Sequence, residues 1–108
     1  MVANPPYMID PAARLYRHGG ATGIELSLRL LEATLARLAP GGRLVLYTGT
    51  PVERGRDLFE DAARAMLAGH GVGFRYQTID PDVWGDELAT PAYAGFDRIA
   101  AVGLVVAI

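Results

Sequence analysis

Four consecutive residues near the start of the chain, Asn4-Pro5-Pro6-Tyr7, combine groups that could orient a planar nitrogen. Such a nitrogen is a poor nucleophile because its lone pair is delocalised. To attack an electrophile such as a sulfonium methyl, it must be held with that lone pair in line. The side-chain carbonyl of Asn4 can accept one N–H, and the backbone carbonyl of Pro5 can accept the other. Two acceptors at fixed positions orient the nitrogen and favour the positive charge that develops on it. Adjacent prolines stiffen the loop that carries them, and Tyr7 offers a flat face for a base or an amide to stack on. Asn4 and Pro5 are therefore the expected catalytic pair, with Pro6 and Tyr7 in contact with substrate.

The surrounding pattern sets where such a loop would sit. Val2 and Ala3 form an apolar stub before the prolines, which reads as a strand end. Thr22 and Glu25 have capping-box spacing. Ile24, Leu28, Leu31, Leu35 and Leu38 recur at helical spacing, which predicts a helix from about Gly23 to Ala39, stopped by Pro40-Gly41-Gly42. Leu44-Val45-Leu46-Tyr47 is a continuous apolar run and predicts a strand buried on both faces. A second helix is expected over Asp57–Ala68, with Leu58, Phe59, Ala62 and Met66 inward. An alternating strand follows over Val72–Ile79, then a polar loop over Asp80–Phe96 with Trp84 packed inward, then an apolar strand over Ile99–Ile108. The order is an α/β pattern in which the first helix joins two parallel strands. The short connection before the last strand permits an antiparallel pair.

The motif and this order resemble the small-domain family of class I S-adenosylmethionine-dependent methyltransferases. That family includes the N6-adenine and release-factor glutamine enzymes with (Asp/Asn/Ser)-Pro-Pro-(Tyr/Phe/Trp) loops. The resemblance covers nearly the whole chain: Asn4–Tyr7, a helix, the Pro40-Gly41-Gly42-Arg43-Leu44-Val45-Leu46 turn into a strand, a helix and a closing strand pair. It implies a partial Rossmann-like methyltransferase sheet, strands four to seven, flanked by helices and with the closing pair partly antiparallel. Residues 1–108 would form a single domain, the C-terminal half of that fold. The implied activity is methylation of a protein glutamine amide or a nucleic-acid adenine amine, with S-adenosylmethionine as cofactor. The glycine-rich cofactor turn after the first strand of this fold class has no counterpart here, so the chain alone is expected to be inactive. Gly69-His70-Gly71-Val72-Gly73 follows a helix and opens a strand, the reverse of what a cofactor turn needs. A non-catalytic module, dimeric through an exposed sheet edge, is the alternative reading.

Other residues carry less. Arg14 and Arg17 could contact substrate phosphates or carboxylates, with His18 beside them, although a solvated helix face is the slightly preferred explanation. Gly19, Gly20 and Gly23 would allow this segment to move over the site. His18 and His70 lack partners at metal-ligand spacing, and the acidic residues around Trp84 lack the spacing of a calcium loop. Asp57, Glu60, Asp61 and Arg64 read as an exposed, charge-paired helix face. The absence of cysteine excludes disulfides and thiolate chemistry, and a net charge of -2 gives no bulk signature of nucleic-acid binding. No signal peptide or membrane-spanning run is evident, so a soluble cytoplasmic protein is expected.

Overall fold

The computed structural model describes residues 1–9, 19, 20 and 22–107. Strand β1 (Val2–Ala3) leads through the motif to helix α1 (Glu25–Leu35) and strand β2 (Arg43–Glu53). A short β3 (Arg56–Asp57) precedes helix α2 (Leu58–His70). Strand β4 (Gly73–Val83), the short helix α3 (Gly85–Leu88), a 3-10 turn (Pro91–Tyr93) and strand β5 (Arg98–Ala107) complete the described chain. The sheet runs β1-β2-β5-β4, with β3 paired to β2 off that path. β1 and β2 are parallel, and β5 is antiparallel to both β2 and β4. The result is an α/β fold with a mixed sheet of five strands, its closing strand reversed between two parallel neighbours.

The topology puts both long helices on one face. β1, β2 and β4 point the same way, and each step from one to the next moves in the same direction across the sheet. Crossovers of one hand then place α1 and α2 on the same side. Leu31 and Leu35 of α1 and Phe59, Ala63 and Leu67 of α2 meet Leu44, Leu46, Val102, Leu104 and Val106 in one core. Two hydroxyl contacts tie the layers together inside it. Ser27 Oγ lies 2.8 Å from Thr48 Oγ1, and Thr50 Oγ1 accepts the Phe59 N–H at 3.0 Å.

Several elements depart from the sequence expectation for physical reasons. Helix α1 is shorter at both ends. The Arg37 and Leu38 N–H groups both turn back to the Thr34 carbonyl, which tightens the last turn and ends the helix. At its start, the Glu25 carboxylate accepts the Thr22 N–H at 2.8 Å and also the Thr22 hydroxyl. Ile24 is the N-cap and uses no side-chain bond, so only one half of the expected capping box forms.

β2 is longer than Leu44–Tyr47 and is covered on one face only along that run: Leu44 and Leu46 are buried, whereas Val45 and Tyr47 are exposed. The inward stripe of α2 is Phe59, Ala63 and Leu67, with Leu58 and Met66 at its margin. Asp57 is not on an exposed charged face. Its carboxylate caps α2 by accepting the Glu60 N–H at 2.9 Å and accepts the Tyr76 hydroxyl at 2.6 Å. Glu60 and Arg64 do form the expected i,i+4 pair. The expected Asp80–Phe96 loop instead begins as strand, because β4 continues to Val83 through two irregularities in its pairing with β5, and then folds into α3 and the 3-10 turn.

Candidate functional site

β1 ends at Ala3 because the prolines at positions 5 and 6 cannot continue a hydrogen-bonded ladder. Its register, Val2 with Val45 and Ala3 with Leu46, delivers Asn4–Tyr7 beside the middle of β2, toward the carboxyl ends of the parallel strands. In open α/β sheets that is where ligands bind. Asn4 is exposed, and its side-chain amide makes no hydrogen bond among the described residues. Pro5, Pro6 and Tyr7 are half-buried.

Three glycines make room for the loop. A Cβ at Gly49 would stand 2.1 Å from Cε2 of Tyr7, so the Tyr7 ring lies directly on the backbone of β2. At Gly19 a Cβ would meet the Tyr7 Cα at 2.6 Å and the Pro6 carbonyl at 2.7 Å. At Gly23 it would meet the Tyr7 carbonyl at 2.2 Å. These glycines thus serve close approach to the motif. The Gly19 N–H also donates to the Met8 carbonyl at 2.8 Å, and the Leu26 N–H donates to the Gly19 carbonyl at 2.9 Å, which ties the loop to the start of α1.

A second layer holds the loop from the other side. Met8 is buried with Tyr93 and Ile99, and the Ile9 N–H donates to the Tyr93 hydroxyl at 2.8 Å. Trp84, expected to pack inward, is 50% exposed. Its indole N–H donates to the Tyr7 hydroxyl at 2.8 Å. Trp84 adopts a left-handed backbone, φ 59°, which costs a non-glycine residue about 1–2 kcal/mol. The irregular end of β4 bends the chain so that this residue returns to the motif.

The structure therefore keeps Asn4, Pro5, Pro6 and Tyr7 together and adds Trp84 and Gly49 to them. Arg14 and Arg17, with His18, lie outside the described residues. A glycine inside a strand often marks a close backbone approach, so Gly49 carried a readable signal. The Trp84 contact spans 77 positions and carried none.

The cofactor that the resemblance implies would need free backbone donors at a strand-to-helix turn. One turn of that kind is Arg54–Gly55, with β3 between it and α2. Its Gly55 N–H is taken by the Asp97 carboxylate at 2.9 Å, and the helix beyond it is capped by Asp57. Both of these backbone donors, the Gly55 and Glu60 N–H groups, are thereby already satisfied within the chain. Among the described residues there is also no cluster of three metal-ligating side chains, and no helix is long and apolar enough to cross a membrane. No protein-family model and no curated protein sequence matches the chain.

Proposed function

We propose that Asn4–Tyr7 is the amine-orienting loop of an S-adenosylmethionine-dependent N-methyltransferase, and that this chain supplies the catalytic-loop half of such an enzyme. The observation that carries the reading is the pairing of an Asn4 amide that has no partner among the described residues with a pinned Tyr7 ring at the carboxyl end of a parallel strand. Asn4 Oδ1 and the Pro5 carbonyl accept the two N–H groups of the substrate nitrogen. Tyr7 and the neighbouring indole of Trp84 provide aromatic surface for the plane behind it. Arg14 and Arg17 are proposed to steer the rest of the substrate, a protein carrying glutamine or a nucleic acid carrying adenine. A cytoplasmic location goes with this reading. In this reading the chain's own contribution is to orient the nitrogen.

Trp84 is the only tryptophan, and it is bonded to the motif, so its emission reports on the loop. Titration of adenosine and of a glutamine-containing peptide, followed by that emission, tests the proposal. Saturable change with either compound, lost in Asn4→Ala at unchanged stability, supports it and names the substrate class. Saturation that survives Asn4→Ala, or none with either compound, overturns it.

A second reading is favoured by the edge of β1, which has no outer partner strand among the described residues and where Val2 is 81% exposed. Two copies could join at that edge as a non-catalytic dimer. Sedimentation velocity across a concentration series separates this from the first reading. A dimer lost in Val2→Lys favours the module, and a monomer throughout removes it.

A further inference from the structure

The sheet face opposite α1 and α2 divides into two halves. Toward the motif it is covered by Met8, Tyr93 and Phe96 around Ile99. Toward the other end it is bare, and Val45, Tyr47, Ile79 and Val105 are all exposed there. The bare half is grooved. The central strand β5 presents Gly103, Val105 and Ala107 on this side. Register pairs Val45 and Tyr47 of β2 with Val105 and Gly103, and pairs Arg75 and Gln77 of β4 with the same two residues. Larger side chains on both flanks thus make β5 the floor of a trough. Two clefts of about 250 and 210 Å³ follow that floor and share Arg75 and Val105. From Gly103 to Ala107 the floor runs about 14 Å at the ordinary strand rise, close to two and a half turns of an α-helix.

Two observations say what fits. First, β5 is paired on both sides along this stretch, so its backbone has no bonds to offer an added strand. An occupant must arrive with its own backbone already satisfied, and a helix does. Second, the charge is one-sided. Arg43 and Arg75 line the trough near Ala107, and among the described residues neither lining set contains a carboxylate. Neither arginine makes an ion pair among the described residues. Carboxylates on an occupant would neutralise them.

We infer that this trough docks an amphipathic helix of an acidic partner, its apolar stripe on Gly103, Val105 and Ala107 and its carboxylates against Arg43 and Arg75. The inference does not depend on the methyl-transfer reading.

The test uses two synthetic helical peptides with the same leucine and alanine stripe, one flanked by glutamate and one by lysine. Each is titrated into the chain by fluorescence anisotropy, and the chain alone is run by sedimentation velocity. The glutamate peptide should bind one to one and about tenfold or more tighter than the lysine peptide. The double variant Arg43→Glu, Arg75→Glu should reverse that preference. Gly103→Val should weaken both, since its Cβ meets only the flexible end of Ile79 at 3.3 Å and leaves the fold intact, which a thermal melt checks. Equal binding of the two peptides, or binding of neither, overturns the inference. So does a concentration-dependent dimer that Val105→Arg dissolves, because the occupant would then be a second copy.

Discussion

Replacing Gly49 by alanine tests how the motif is seated. The new methyl would stand 2.1 Å from Cε2 and 2.2 Å from Cδ2 of Tyr7. Carbon atoms rest about 3.5 Å apart or more, so the ring must retreat by roughly 1.5 Å. That movement breaks the 2.8 Å bond from the Trp84 indole to the Tyr7 hydroxyl or drags Trp84 with it. The bond is worth about 1 kcal/mol and the overpacking about 1–3 kcal/mol. Removing glycine from a strand returns about 0.5–1 kcal/mol. The net loss should be about 1–3 kcal/mol, measured by urea unfolding followed by circular dichroism. The decisive arm repeats the substitution in a Tyr7→Ala background. All three nearest atoms belong to Tyr7, so there the loss should fall to near zero, a coupling of about 1–3 kcal/mol. Equal losses in both backgrounds would refute the seating of Tyr7 on Gly49 and, with it, the claim that the ring is preorganised.

Asp57→Ala should lower stability by about 2–4 kcal/mol in the same assay, because it removes a helix cap and the acceptor of the Tyr76 hydroxyl. Burial, and then the Asp57 hydrogen bond, push the Tyr76 phenol far above its ordinary value of 10.0. A raised pKa favours the protonated form in the fold, so wild-type stability should begin to fall as pH rises past about 10, and Tyr76→Phe should flatten that limb in pH-dependent urea melts. Burial raises the Glu25 pKa, but the hydrogen bonds from Thr22 outweigh it and leave the pKa below its ordinary value of 4.5. Its contribution is therefore present above that value and lost as pH falls below it; acid titration of Glu25→Gln should show a shallower loss than wild type. Ser27→Ala alone should cost about 1–3 kcal/mol by leaving the buried Thr48 hydroxyl without this partner, and adding Thr48→Val should recover part of that loss. Calorimetric titration of S-adenosylmethionine into the chain should show no saturable heat, since the sequence has no counterpart of the glycine-rich cofactor turn; one site per chain would contradict that expectation.

The sequence by itself determined the order of the two long helices and the strands β1, β2, β4 and β5, and the position of the loop. The prolines at 5 and 6 end β1 wherever the chain folds, because no tertiary contact restores a missing N–H. The helical spacing of Leu28, Leu31 and Leu35 and the αL glycine at 71 likewise act within a few residues. The connection before the last strand permitted an antiparallel pair, and the fold reversed that strand against both of its neighbours.

What the tertiary structure alone decided depends on residues far apart in sequence. An apolar run such as Leu44–Tyr47 cannot say whether one face or two will be covered, because that depends on how many elements arrive to cover it. Here α1 and α2 take one face, and the other stays half bare. Asp57 reads as one more charge on a helix until β4 brings Tyr76 to it across 19 positions. Trp84 was expected inside because indole is large and apolar. The bent end of β4 turns it instead to the Tyr7 hydroxyl, since a polar N–H seeks an acceptor wherever the fold supplies one.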